Sequence, residues 1–229
     1  MLLAVDCGNT NIVFALYDDD IQQANWRIST DPKRSADEYL VWLTQLMTLN
    51  GIAVDELSDM IIANVVPEVQ PKLVSLAQHG FNLTPQVIGN EDIDLGIKIN
   101  IDQPNQAGAD RLVNAVAARD LYDLPAIILD FGTATTFDLV GRSGSYEGGI
   151  IAPGINVSLE SLINKTSKLR KIKISKINKV VGKNTFEAMQ SGFYWGYESL
   201  INGIIKKILK EKNYKPILIM TGGLSYLFK

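Results

Sequence analysis

Hydrophobic positions change period several times along the chain, and each change marks an element. The opening stretches "MLLAVD", "NIVFALYD" and "QQANWRIST" predict three strands joined by tight turns. The period then lengthens. In "SADEYLVWLTQLMTLNGI", Tyr39, Leu40, Leu43, Leu46 and Met47 recur at helical spacing, Ser35 with Glu38 makes a capping-box pattern, and Gly51 ends the run. "SDMIIANVV" predicts a buried strand, and Pro67 opens a predicted helix over "PEVQPKLVSLAQHG". "TPQVIG" reads as a short strand and "ADRLVNAVAARDLY" as another helix.

The pattern then restarts. "AIILDFGTATTFDLVG" predicts strand, turn and strand, "YEGGIIAPG" a third extended piece, and "INVSLESLINKTSKL" a helix. Residues 184–212 predict a long helix, started by Asn184 and Glu187, with Met189, Phe193, Tyr197, Leu200, Ile204 and Ile208 along one face. "PILIMTGG" is a last strand with a glycine turn. Aligning Val5-Asp6-Cys7-Gly8-Asn9-Thr10 with Leu129-Asp130-Phe131-Gly132-Thr133-Ala134 sets the two openings 124 residues apart, 130 minus 6. Each copy is an apolar strand, Asp-x-Gly with an amide or hydroxyl residue, then another apolar strand. This internal repeat of a β-β-β-α-β unit predicts an α/β protein of two similar domains, residues 1–120 and 121–229, facing each other.

Composition narrows the chemistry. The 229 residues are 46% hydrophobic and 21% charged, enough apolar material for a substantial core. No apolar run approaches the roughly 18–20 residues of a membrane helix, and the N-terminus lacks the basic region and cleavage site of a secretory signal. The single cysteine, Cys7, excludes an internal disulfide framework and fits a reducing, cytoplasmic setting. One histidine, His79, and one cysteine exclude a multi-His or Cys-rich zinc site, and no motif around His79 suggests a Ser-His-Asp triad. Acid–base chemistry therefore falls to carboxylates, and phosphate handling to backbone amides, hydroxyls and lysines.

Charge is uneven although the net value is only −3. Residues 1–160 hold 8 Lys and Arg against 22 Asp and Glu, whereas residues 161–229 hold 14 against 3. From Lys165 to Lys183 there are eight cations and no acid. Such a run occurs in nucleic-acid binders, but no aromatic interleaving or nucleic-acid motif accompanies it. It reads instead as a solvated basic face that meets the acidic half or a partner subunit.

The repeated turn suits phosphate. Gly8 and Gly132 permit a tight turn and a close approach of phosphate to backbone amides. Asn9, Thr10, Thr133 and Thr135 add neutral donors. Asp6 and Asp130, at strand ends, can hold a cation directly or through water. Ordinary hairpins with Asx and Thr turns would explain either turn alone, but less readily two in matching strand contexts. The Walker loop and G-x-G-x-x-G are both absent. A third turn at Thr221, Gly222 and Gly223 would suit an adenosine passing by, or a plain strand-to-helix turn. Asp110 and Arg111 fall in the first turn of a helix, where the helix dipole favours a carboxylate anion and the guanidinium offers a fork for an anion. A capping aspartate with a surface arginine would look the same.

The phrases "DCGNTNIVFAL", "GADR", "DFGTATTFD", "EGGIIAPG", "GKNTFEAMQSGFYWG" and "TGG" occur in the order and spacing of type III pantothenate kinases, from residue 3 to 223. The chain resembles that family, which belongs to the actin, hexokinase and acetate kinase superfamily. The resemblance implies two actin-like (ribonuclease H-like) domains, each a mixed β-sheet flanked by helices. It also implies ATP-dependent phosphorylation of pantothenate to 4'-phosphopantothenate, the first step of coenzyme A biosynthesis. By the same resemblance Asp6, Cys7, Gly8, Asn9, Thr10, Asn11, Ile12 and Val13 form the ATP phosphate loop, with Thr133 a further ATP contact. Asp110 is the general base. Gly108, Ala109, Arg111 and Thr185 contact pantothenate, and Asp130 holds a monovalent cation, K+ or NH4+, while Mg2+ arrives with ATP. A homodimer is implied as well, with Gly192, Gly196 and Gly203 letting the long helix pack near the dyad.

Three positions depart from the family pattern. Ile101 stands where the family has a substrate-contacting tyrosine, seven residues before the glycine of "GADR". Arg170 replaces a proline in "TSKLR", and the chain stops six residues after Gly223, where family members run on through a helix. These departures and the basic run would suit a nucleotide-binding regulator of the transcriptional accessory factor kind that has lost catalysis. A superfamily kinase for another small alcohol is the other alternative. The retained Asp6, Asp110, Arg111, Asp130 and Thr185 favour the kinase, since a pure binder needs no base.

Overall fold

The computed structural model describes residues 1–90, 92–212 and 214–229. It divides into two compact units, one of residues 1–96 and 103–114, the other of residues 97–102 and 115–229.

In the first unit, β1 (Leu2–Cys7), β2 (Asn11–Asp18), β3 (Ile21–Ser29), β4 (Asp59–Asn64) and β5 (Gln86–Val87) form one sheet in the order β3-β2-β1-β4-β5. The first three strands pair antiparallel, and β4 and β5 add in parallel. Alternation decides which face is buried: Leu3, Val5 and Cys7 of β1 and Ile12, Phe14 and Leu16 of β2 are all at most 3% exposed. They share a core with Tyr39, Leu43 and Met47 of α1 (Ala36–Leu49) and Leu73 of α2 (Gln70–Ser75). The predicted capping box starts α1. Glu38 N donates to Ser35 Oγ at 3.2 Å, and Ser35 N donates to Glu38 Oε2 at 2.7 Å.

The helix expected from Pro67 begins only at Gln70 and gives way to a wider turn over Leu76–Gly80. Pro71 is the reason. A helix running from Pro67 would place Pro71 in its interior, where its ring meets the carbonyl four residues back; starting at Gln70 puts it in the first turn.

The second unit repeats the connectivity. Strands β6 (Ala126–Phe131), β7 (Ala134–Val140), β8 (Tyr146–Pro153) and β9 (Ile217–Gly222) lie in the order β8-β7-β6-β9, again an antiparallel trio with a parallel strand beside its first member. Ile127, Leu129, Phe131, Phe137 and Leu139 pack on Ile201 and Ile208 of α5 (Thr185–Lys212). Ile155 and Leu159 of α4 (Ile155–Asn164) pack on Met189 and Tyr197 of α5. Helix α4 stops earlier than the pattern predicts, where Thr166 turns its hydroxyl back to Leu162 O at 2.9 Å.

The basic run is no loose tail. In "KIKI", Ile172 and Ile174 are buried in the α4–α5 core while the alternating Lys171 and Lys173 are exposed. Gln190 Nε2 donates to Lys173 O at 3.1 Å and Trp195 Nε1 to Lys179 O at 3.2 Å, fastening the segment along α5. Residues 97–102 join the second unit through Asn100 N, which donates to Tyr146 O at 2.8 Å, and Tyr146 N, which donates to Lys98 O at 2.9 Å. Tyr146 also donates its hydroxyl to the fully buried Asp138 at 2.9 Å, and Thr136 donates to the same carboxyl group at 3.0 Å, so that buried polar group is hydrogen-bonded by protein. The helix spanning Ala109–Leu121, α3, contributes residues to both units.

Candidate functional site

Both Asp-x-Gly phrases sit where a central strand ends and turns back. Asp6 closes β1, and Gly8 N donates to Asn11 O at 3.0 Å across the turn. Thr30, just past β3, fastens that turn twice: its hydroxyl donates to Gly8 O at 2.6 Å, and its backbone N–H to Thr10 O at 3.0 Å. Asn9 and Thr10 stay exposed. In the second unit Gly132 N donates to Ala134 O at 3.0 Å. That turn is one residue shorter, because Phe131 pairs with Thr135 where Cys7 pairs with Ile12.

The glycines are not there for the backbone. Neither Gly8 nor Gly132 takes a positive φ, and a Cβ on either would meet nothing nearer than 3.4 Å. An alanine would fit both turns. What a side chain would occupy is the space above the turn amides, the space a phosphate needs.

Two other glycines are sterically required. Gly154, immediately before α4, donates its N–H to Thr133 O at 3.1 Å, and a Cβ there would overlap that oxygen. Gly222 ends β9 with φ +85°, and a Cβ on it would lie 2.5 Å from Asp130 Oδ1 and from Phe131 N. Asp130, register partner of Thr221, therefore sits in a cradle that only a bare Cα leaves open.

At the head of α3, Asp110 Oδ1 accepts from Arg111 N at 2.8 Å, and a Cβ on Gly108 would sit 2.6 Å from the same oxygen. Asp110 and Asp6 feel each other. Desolvation raises the Asp6 pKa, the negative charge of Asp110 raises it further, and Arg27 opposes both. A cation bound between the strand end and the helix head would relieve that repulsion. Cys7 is buried, and burial with the Asp6 charge pushes its thiol up to about 12. It and Ile12, both at 0% exposure, offer a ligand only their backbone; Asn11 and Val13 are half-buried on β2.

The remaining expected residues fall elsewhere. Ile101 leans on Gly148, whose φ of +88° and missing Cβ bring Ile101 Cγ2 within 3.2 Å of where a Cβ would stand. Thr185, first residue of α5, lines a cavity of about 660 Å³ with Pro153, Phe193, Gly192, Gly196 and Tyr197. Thus Asp6, the Gly8–Thr10 turn and residues 108–111 belong to the first unit, while Asp130, Thr133, Thr185 and Ile101 belong to the second. Sequence reasoning missed Thr30, because its bonds run to a turn twenty residues earlier and nothing beside it in "RIST" signals them. Among the described residues no three His, Cys, Asp or Glu side chains gather as a metal cluster. The carboxylates present fit an ion that takes most of its ligands from phosphate and water.

The sequence matches the family described as type III pantothenate kinase over residues 2–207. Among curated relatives, type III pantothenate kinases of Paramagnetospirillum magneticum and Rhodospirillum rubrum are 51% and 50% identical over 228 residues, covering 100% of this chain and 88% and 89% of theirs. Solved structures with the same fold are more distant. A Campylobacter jejuni protein assigned to the Baf family of transcriptional activators aligns over 99% of this chain and 85% of its own, with TM-score 0.58 and 19% identity. The activator of 2-hydroxyisocaproyl-CoA dehydratase from Clostridium difficile, solved with ADPNP, aligns over 99% and 81%, with TM-score 0.53 and 11% identity. The two sheets with their flanking helices are the actin-like ATPase architecture, and the chain belongs to the type III pantothenate kinase family.

Proposed function

We propose that the protein phosphorylates pantothenate with ATP, giving 4'-phosphopantothenate and ADP, with Asp110 as the general base. The observation that carries this is the Asp6–Asp110 pair: the carboxylate at the helix head raises the cost of ionising the one at the strand-end turn. In this reading Asp110 takes the hydroxyl proton of pantothenate, the freed oxygen attacks the γ-phosphorus, and the bond from that phosphorus to the β–γ bridging oxygen breaks. Mg2+ carried on ATP would offset charge on the transferring group, and Asp6 is the residue to hold it, directly or through water. Asn9, Thr10 and Thr133 would donate to phosphate oxygens, Gly8 leaving room above the turn, with Asn11, Ile12 and Val13 continuing that contact along β2. Gly108, Ala109, Arg111 and Thr185 would orient pantothenate, the guanidinium suiting its carboxylate. Ile101, lacking a hydroxyl, would offer the substrate only an apolar contact.

The Asp130 cradle suits a cation of one charge, K+ or NH4+, since one carboxylate among strand-end carbonyls is too little charge to hold a bare divalent ion. A homodimer is the matching assembly. A Cβ on Gly192, Gly196 or Gly203 of α5 would meet nothing within 4 Å, and the cavity beside the first two is lined mainly by apolar side chains. Residues 1–120 and 121–229 are read as the two actin-like halves, and the cytoplasm, where coenzyme A precursors and a free thiol coexist, as the setting.

The test is ATP-dependent phosphorylation of pantothenate in potassium and in sodium buffer, with Asp110→Asn alongside. Turnover that requires potassium and falls by about 10³-fold or more in the variant supports the reading. Absent turnover in a folded, ATP-binding protein would favour the regulator or another alcohol, and salt-sensitive DNA binding would separate those two.

A further inference from the structure

The tip of β6 carries three residues of the second nucleotide turn, and one of them, Phe131, places its side chain in the core. Gly132 has no side chain, and Asp130 faces the Gly222 cradle. Phe131 points to the other side, into the core with Leu129 and Phe137, and is 4% exposed. Its register partner on β9 is Gly222, which offers no side chain, and on β7 it is the short Thr135. What covers the Phe131 ring is Phe228. The two rings stack with centroids 5.3 Å apart and planes 7° from parallel, and Phe228 also stacks on Tyr194 of α5 at 5.7 Å and 10°. Trp195 closes the column edge-on to Tyr194 at 5.0 Å. Leu227, buried at 7%, and the turn over Ser225–Leu227 deliver Phe228 to this place.

We propose that Phe228 is a positioning residue for nucleotide binding: stacked on both Phe131 and Tyr194, it fixes the end of β6 and hence the Asp130 carboxylate and the Gly132–Thr133 turn. This rests on the reading of the Asp130–Thr133 turn as a nucleotide contact. The geometry is specific to a planar ring. Leucine in its place would fill much of the volume and leave the core dry, but it could not stack flat on two rings. A packing role would be satisfied by leucine, whereas a positioning role needs an aromatic.

Titration of Mg·ATP into the purified full chain by calorimetry tests this without reference to the phosphoryl acceptor. Phe228→Ala and Phe228→Leu are expected to weaken ATP binding by about fivefold to tenfold, the equivalent of one lost ring pair, and Phe228→Tyr to restore it. With pantothenate as substrate, KM for ATP should rise in the same proportion while KM for pantothenate holds. Affinity unchanged in Phe228→Ala, or restored by leucine as fully as by tyrosine, would overturn the proposal. Should Phe228→Ala fail to fold, Tyr194→Leu probes the same column from the helix side with the same expected loss. If wild-type protein binds ATP and the variants behave as expected but pantothenate is not phosphorylated, the acceptor assignment falls and Phe228 keeps its role.

Discussion

Thr30 donates its hydroxyl to the carbonyl oxygen of Gly8 at 2.6 Å, while its own N–H reaches Thr10 O. One residue just past an outer strand thus holds both flanks of the Gly8–Thr10 turn. Thr30→Val keeps the shape and removes the hydroxyl. It should cost about 1 kcal/mol in urea unfolding and raise KM for ATP several-fold, whereas Thr30→Ser should preserve both. An unchanged KM in the valine variant would show that the turn holds itself.

With Asp6 as a nucleotide contact, as proposed, its raised pKa is expected to set the acid side of nucleotide binding. A carboxyl whose folded pKa lies above its unfolded value binds more protons when folded. Its contribution therefore favours the fold at low pH and is lost as pH rises from the usual 3.8 through the raised value. Binding that needs the carboxylate runs the other way and weakens as pH falls through that value. Asp110→Asn removes one raising charge, so the acid limb of ATP affinity should move to lower pH; Arg27→Gln should move it higher. A pH series of ATP titrations on the three proteins checks both directions.

Cys7 should be inert in the native state. With its thiol pushed up to about 12, it carries roughly a thousandfold less thiolate near neutral pH than an ordinary cysteine of pKa 9, and it is buried besides. Iodoacetamide at pH 8 should modify it at a rate set by unfolding, and saturating Mg·ATP should slow that rate further. Rapid labelling of folded protein would contradict the burial of β1.

Adjacent glycines should respond in opposite ways. Gly222→Ala forces a side chain into a positive-φ position 2.5 Å from Asp130 Oδ1, and should cost about 1–3 kcal/mol as well as weaken nucleotide binding. At Gly223 a Cβ would meet nothing within 4 Å, so Gly223→Ala should fall within about 0.5 kcal/mol of wild type. Denaturant unfolding of the pair distinguishes a steric cradle from a generic glycine turn.

Much of this architecture could be read from local pattern. The capping box of Ser35 and Glu38, the long helix introduced by Asn184, and the doubled strand-turn-strand phrase all rest on interactions within a few residues, where spacing carries the information. Elements were misjudged where two local rules competed, as when Pro67 signalled a helix start and Pro71 forbade it. The first site was partly legible, since Asp6 and Asp110 stand in recognisable phrases. Its electrostatic coupling was not, because that depends on how closely a strand end approaches a helix head. Thr30 and Phe228 were invisible for the same reason: a threonine in an outer strand and a phenylalanine near Lys229 acquire meaning only from Gly8 and Phe131, far away in sequence.

The parallel pairing of β6 with β9 also imposes an order on biosynthesis. Asp130 and Phe131 emerge from the ribosome well before Thr221 and Gly222, their register partners, and before Phe228, which caps the ring. At about 5–20 residues per second the wait is on the order of 5–20 s, during which the inner edge of β6 has no strand to pair with. The β1 turn waits less, since β2, β3 and β4 all follow within the first 64 residues. A nascent chain would therefore hold one finished strand pairing around its first aspartate while the second lies open. That interval is when a chaperone, or a wrong strand, has its chance at the sheet.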